Sequence, residues 1–179
     1  MAGFVLDVSA CMPWCCEDEA TAVSEQLLQR AARREPLHVP SLWPWEIMNA
    51  VGISVRRQRI TPERAQRFFE QLAAFDFQIA AAPSIAEFAE HSFVASRHQL
   101  TAYDAAYLVL AKQLGVPLAT LDEDLKRALA CRRNHNSVNM ACIAGHTRSN
   151  RKVRYGLRAS AKTVPTCKQL VNPKDARAS

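Results

Sequence analysis

The chain has 179 residues, 49% of them apolar and 22% charged, which suits one globular domain with room for an appendage. No apolar run approaches the roughly 18–20 residues of a transmembrane helix. The opening MAGFVLDVSA has no basic leader and meets an acid at Asp7, so neither a membrane span nor a secretory signal is expected. A cytoplasmic protein with no membrane partner follows, and its six cysteines are expected to stay reduced. The net charge of +6 is unevenly divided. Residues 1–130 carry 12 Lys and Arg against 16 Asp and Glu, a net of −4, whereas residues 131–179 carry 11 against one, a net of +10. The basic character belongs to the tail, so a nucleic-acid role cannot be read from total charge.

FVLD at 4–7 predicts a short buried strand. In residues 17–34, Ala20, Val23, Leu27, Leu28 and Ala31 fall at the spacing of an amphipathic helix. LHVP at 37–40 is a second strand, stopped by its proline. Residues 45–59 place Ile47, Ala50, Val51 and Ser54 on one helical stripe. Thr61 and Pro62 open a helix over 62–75. FQIA at 77–80 is a third strand. Ser84 with Glu87 forms a capping box for a helix over 84–96. Thr101 caps a helix over 103–115 that is apolar nearly all round, with Asp104 in its first turn and Gly115 at its end. VPLAT at 116–120 is a fourth strand, and 123–130 a last short helix. Strands alternating with helices at this spacing predict βαβ units around a parallel sheet, which binds ligands beyond the carboxyl ends of its strands.

Four acids stand where apolar elements start or end: Asp7, Glu46, Asp104 and Asp122, with Asp124 close to a fifth. Each alone has an ordinary explanation. Asp7 suits a turn, Glu46 a first-turn acid favoured by the helix dipole, Asp104 a capping box with Thr101, and Asp122 a cap. As a set at one sheet edge they repel one another and raise each other's pKa, which a fold tolerates with a compensating cation. Oxygen-only ligands select Mg²⁺ or Mn²⁺ over zinc, and such ions suit phosphodiester hydrolysis.

FVLDVSA at 4–10, PWEIMNA at 44–50 and LTAYDAAYLVLAKQLGVPLATLDEDL at 100–125 together resemble the PIN-domain ribonucleases, in particular the VapC-type toxins of type II toxin–antitoxin modules. The resemblance spans about residues 3–130. It rests on Asp7 with Ser9, Glu46 with Asn49, Asp104 with Ala105 and Tyr107, and Thr120 with Asp122. It implies a Rossmann-like three-layer α/β/α fold with a central parallel sheet. It implies Mg²⁺- or Mn²⁺-dependent endoribonuclease activity on tRNA, rRNA or mRNA, a homodimer, and a cognate antitoxin that covers the acidic groove. Carried over by motif, Asp7, Glu46, Asp104 and Asp122 would hold the metal. Ser9, Thr120 and Asn49 would orient carboxylates or water, and Asp124 would be an outer ligand or an exposed first-turn acid. Arg30, Arg33, Arg34 and the RRQR run at 56–59 are phosphate-contact candidates or solvated helix faces. Trp14, Trp43 and Trp45 are candidates for base stacking or for packing.

Residues 131–179 depart from the family. The short strand that ordinarily follows the last helix is not recognisable, and 49 residues without period 2 or 3.6 take its place. A basic, disordered tail is expected, either out-of-frame or read-through sequence or an RNA-binding arm. Cys131–His135 and Cys142–His146 form two C-x₃-H steps, whose spacing matches no common zinc module. A degenerate domain that only binds its antitoxin is an alternative to the nuclease. A flap-type DNA nuclease is disfavoured because it carries more acids and DNA-tracking helices.

Overall fold

The computed structural model describes residues 2–132 and the pair 142–143. These residues lie within the first of two units into which the chain divides, Met1–Arg148.

Five parallel strands form one sheet in the order β3-β2-β1-β4-β5. They are β1 (Phe4–Leu6), β2 (Leu37–Val39), β3 (Phe77–Ile79), β4 (Leu118–Ala119) and β5 (Cys142–Ile143). The helices are α1 (Val8–Cys11), α2 (Ala22–Ala32), α3 (Trp43–Arg56), α4 (Pro62–Ala73), α5 (Phe88–His98), α6 (Ala102–Leu114) and α7 (Glu123–Arg132). With helices on both faces of the sheet, this is the expected three-layer α/β/α fold.

β1 is central and wholly buried, as expected of a parallel strand covered on both faces. Phe4 stands opposite Leu37 on one side, and Val5 opposite Leu118 on the other. Gly3 leads into β1 with φ +72°, and a Cβ there would lie 2.2 Å from the Pro36 carbonyl oxygen, so only glycine fits this entry. From β1 the chain winds outward through β2 to β3, then returns to β4 and winds the other way. The strand order therefore reverses between β1 and β4. That switch point opens a crevice beyond the carboxyl ends of both strands.

Several elements differ from the sequence expectation. The segment 17–34 is not one helix. A short 3-10 turn, Glu17–Glu19, precedes α2, because Thr21 caps α2 and exchanges hydrogen bonds with Ser24. The capping box of Ser84 and Glu87 forms, but it opens a 3-10 turn, Ile85–Glu87, ahead of α5. Between β1 and that first turn, α1 and a 3-10 turn (Met12–Trp14) bury Cys11, Met12 and Trp14 without a helical period long enough to read. The edge strand thought missing is present: β5 pairs parallel with β4, Cys142 opposite Leu118 and Ile143 opposite Ala119. Two residues are too few to carry an alternation signal. The rest of 131–179, including the expected disorder and the side chains of both C-x₃-H steps, lies outside the described residues.

Candidate metal centre

Asp7 is the first residue past β1. Its N–H donates to the Ala119 carbonyl at 3.0 Å, so the end of β1 is tied to the end of β4. Its carboxylate is 7% exposed and takes two hydroxyl hydrogen bonds on Oδ2. One comes from Ser9 and the other from Thr120 Oγ1 at 2.7 Å. Both hydroxyls are themselves fixed. Ser9 Oγ accepts from the Leu121 N–H at 2.8 Å, and Thr120 Oγ1 accepts from the Asp122 N–H at 3.0 Å. With acceptor roles filled by backbone, each hydroxyl directs its proton at Asp7. The result is a latch that closes the switch point and sets the carboxylate's rotamer.

Burial pushes the Asp7 carboxyl up from 3.8 to about 6. The Ser9 and Thr120 hydrogen bonds oppose the rise, and the nearby charges of Asp122 and Asp104 add to it.

Glu46 enters from the first turn of α3, which Trp43 and Pro44 start two residues earlier than expected. Its Oε2 accepts the phenolic proton of Tyr107, which is buried in the middle of α6. Burial raises the Glu46 carboxyl from 4.5 to about 7, the Tyr107 hydrogen bond holds it down, and Asp7 and Asp104 push it further up. Burial and the surrounding acids drive the Tyr107 hydroxyl far above its ordinary range, so it remains a proton donor.

Asp104 lies in the first turn of α6. Thr101 caps that helix by accepting the Asp104 N–H at 3.1 Å, and its hydroxyl donates to Asp104 Oδ2 at 2.8 Å. Burial is the main cause of a raised Asp104 carboxyl, followed among the raising effects by the charges of Asp122 and Asp124. Asp122 caps α7: its Oδ1 accepts the N–H groups of Asp124 at 2.8 Å and Leu125 at 3.0 Å. The cap engages one carboxylate oxygen of Asp122, so capping and metal binding are compatible.

Electrostatic coupling thus joins Asp7, Glu46, Asp104 and Asp122 in one neighbourhood. Among the described residues, no lysine or arginine forms an ion pair with any of these four. Nor, among the described residues, do three acidic, imidazole or thiol groups stand close enough together to hold an ion as placed. A cluster that raises its own proton affinities is short of positive charge. Open geometry and oxygen-only donors fit a hydrated hard cation such as Mg²⁺ or Mn²⁺, which keeps several waters and uses few protein ligands.

One expected orienting residue, Asn49, falls elsewhere. Asn49 follows Glu46 by three residues on α3, but it is exposed and has no hydrogen bond to Glu46. A step of three residues turns the helix about 300°, and here the boundary between buried and solvent faces falls within the remaining gap. Asp124 stands in the first turn of α7, pairs with Arg127 at 2.8 Å, and its charge also raises the Asp104 carboxyl. The group that orients Glu46 is Tyr107, whose role the sequence reading did not assign. Its signal was a phenol three residues after Asp104, on the otherwise apolar stretch of α6.

A profile of the PIN domain matches residues 4–129. The chain belongs to the PIN-domain family. Within it the chain is of VapC type. It is 34% identical over 103 residues to Ribonuclease VapC3 of Pyrobaculum aerophilum, covering 57% of this chain and 78% of that protein. The crystal structure of PAE2754 from Pyrobaculum aerophilum is similar at a TM-score of 0.54 and 26% identity, covering 72% of this chain and 81% of that one. In this PIN domain the matched segment includes every carboxylate of the cluster and ends before β5.

Proposed function

We propose that this VapC-type PIN domain is a divalent-metal-dependent endoribonuclease, the toxin partner of a type II toxin–antitoxin pair. One observation carries the reading: Asp7, Glu46, Asp104 and Asp122 interact electrostatically at the sheet's switch point, the first three with raised proton affinities, and among the described residues no lysine or arginine pairs with any of the four. The relative named Ribonuclease VapC3 supports RNA as the substrate.

Asp7, Glu46, Asp104 and Asp122 would hold Mg²⁺ or Mn²⁺. When bound, such an ion supplies the positive charge that a phosphodiester and an attacking water require. The chain's own groups set the geometry. Ser9 and Thr120 fix Asp7, Tyr107 fixes Glu46, and Thr101 fixes Asp104. Orienting partners of this kind are typically worth about 10–100-fold in metal affinity or activity.

A cognate antitoxin would cover the acidic crevice. A homodimer is supported by the apolar side chains of the turn Ile85–Glu87 and of α5, where Ile85, Phe88 and Phe93 are 84%, 55% and 62% exposed and Val94 alone of α5 is buried. No helix among the described residues is long and apolar enough to cross a membrane, and a cytoplasmic location belongs to the same reading.

The test is cleavage of tRNA, rRNA and mRNA by the purified chain with Mg²⁺ or Mn²⁺ and with EDTA. Metal-stimulated cutting that Asp7→Asn and Asp104→Asn abolish, with the variants still folded, is the expected result. Cutting undiminished by EDTA contradicts it. Antitoxin binding without any cutting would establish the degenerate domain instead.

A further inference from the structure

Trp14 and Trp43 are each 5% exposed and belong to the core, where Trp14 meets Phe75 edge-on and Trp43 stacks on Phe77. Trp45 is different. It is 72% exposed, at the start of α3, immediately before Glu46. Leaving a large indole in water forgoes the burial that stabilises the other two. Met48, 46% exposed, and the exposed Asn49 follow at i+3 and i+4, so the three side chains share one outward stripe. Asn49 has no hydrogen bond among the described residues, and its amide offers two donors and an acceptor. On α6, Tyr103 stands immediately before Asp104 and is 54% exposed. The Tyr107–Glu46 hydrogen bond joins α3 to α6, so the first turns that carry the two exposed aromatics, one residue before Glu46 and one before Asp104, meet at the carboxylate cluster.

We propose that Trp45, with Asn49 beside it, is a platform for an unstacked nucleobase next to the phosphodiester held at the carboxylates. This deepens the ribonuclease reading and rests on it. An exposed indole one residue from Glu46 offers its face to a planar group, and a base can use that face only when it has left its helix. Asn49 is placed to bond the edge of such a base. Tyr103 offers a second ring from α6. The substrate class is therefore a single-stranded loop, bulge or end rather than a continuous duplex. The apolar side chains of α5 are not adjacent in sequence to any of the four acids, which sets the two surfaces apart.

The experiment uses the full chain carrying Asp7→Asn, so that RNA is bound without being cut. Trp fluorescence is followed during titration with a single-stranded oligoribonucleotide and with the same sequence as a blunt duplex. Near-physiological salt limits the non-specific contribution of the basic tail, which falls steeply with ionic strength. Quenching by the single strand, much weaker with the duplex, is the expected result. Trp45→Ala should remove the quenching and weaken single-strand affinity by about tenfold or more, as loss of one stacked base does. Trp45→Phe, followed by anisotropy of labelled RNA, should restore most of the affinity. Equal affinity of Trp45→Ala for the single strand overturns the platform. So does a Trp45→Ala variant that changes oligomeric state or antitoxin binding while RNA affinity stands, since Trp45 would then be a protein contact. If the active wild-type chain cuts no RNA with either metal, the ribonuclease reading fails separately, and the fluorescence result still decides the platform.

Discussion

Asp7 and Glu46 belong to one cluster but are held in opposite ways. Asp7 sits at the seam of two adjacent strands, where two hydroxyls and a backbone ladder fix it. Glu46 hangs from the first turn of a helix and is steadied by a single phenol reaching over from α6. The first arrangement is local to the sheet, so its geometry is set as soon as β1 and β4 pair. The second depends on how α3 and α6 pack. Asp7 should therefore be the rigid reference of the site and Glu46 its adjustable member.

The largest expected effect that sharpens this contrast is on stability against pH. The Asp7 carboxyl binds its proton more tightly in the folded chain, at about 6, than at the ordinary 3.8. The stability that Asp7 contributes is therefore fully present below about pH 4 and is lost as pH rises through about 6. At about 1.4 kcal/mol per tenfold change in proton affinity, the Asp7 contribution is about 3 kcal/mol. Glu46, raised to about 7, extends the decline towards neutrality with the same sign. Melting temperatures of the metal-free protein should fall from pH 4 to pH 7, Asp7→Asn should flatten the lower part of that fall, and Mn²⁺ should restore stability near neutrality but not at acid pH.

Breaking the latch comes next. Thr120→Val keeps shape but removes the donor to Asp7 and the acceptor for the Asp122 N–H. A loss of about 1–3 kcal/mol in denaturant unfolding is expected, with activity down about 10–100-fold. Loss of a hydrogen bond to its charged form also moves the Asp7 carboxyl further up.

The smallest change is Tyr107→Phe, which deletes one hydroxyl and leaves the core packing of α6. Activity should fall by about tenfold with little change in melting temperature. Because the phenol favours the ionised Glu46, its removal should shift the acid limb of the pH–rate profile to higher pH. An unchanged profile would mean that Tyr107 only packs.

Much of this was legible in the sequence, for identifiable reasons. Segments 4–7, 37–40, 77–80 and 116–120 are short, mainly apolar runs ended by an acid, a proline, alanines leading to a proline, and a threonine, and each contains an observed strand. Thr61, Ser84, Thr101 and Gly115 mark helix ends because capping is a local interaction. Four acids at element ends were visible because parallel sheets gather such residues at one edge. What the sequence concealed was set by tertiary contact. Tyr107 reads as core until α3 brings Glu46 to its hydroxyl. Asn49 matches the family pattern, yet the rotation of α3 turns it to solvent. The partner of β4 is a two-residue strand in a segment with no periodicity of its own.

The central claim is that the four carboxylates form a site for a hard divalent cation. Calorimetric titration of the purified chain with Mn²⁺ tests it most directly, at a pH between about 6 and 7, where Asp7 and Glu46 are partly protonated. Repeating the titration in buffers of different ionisation enthalpy counts the protons released. Saturable binding with net proton release, lost in Asp7→Asn and in Asp104→Asn, is the predicted result. Absence of saturable binding, or binding that neither substitution weakens, would contradict the account.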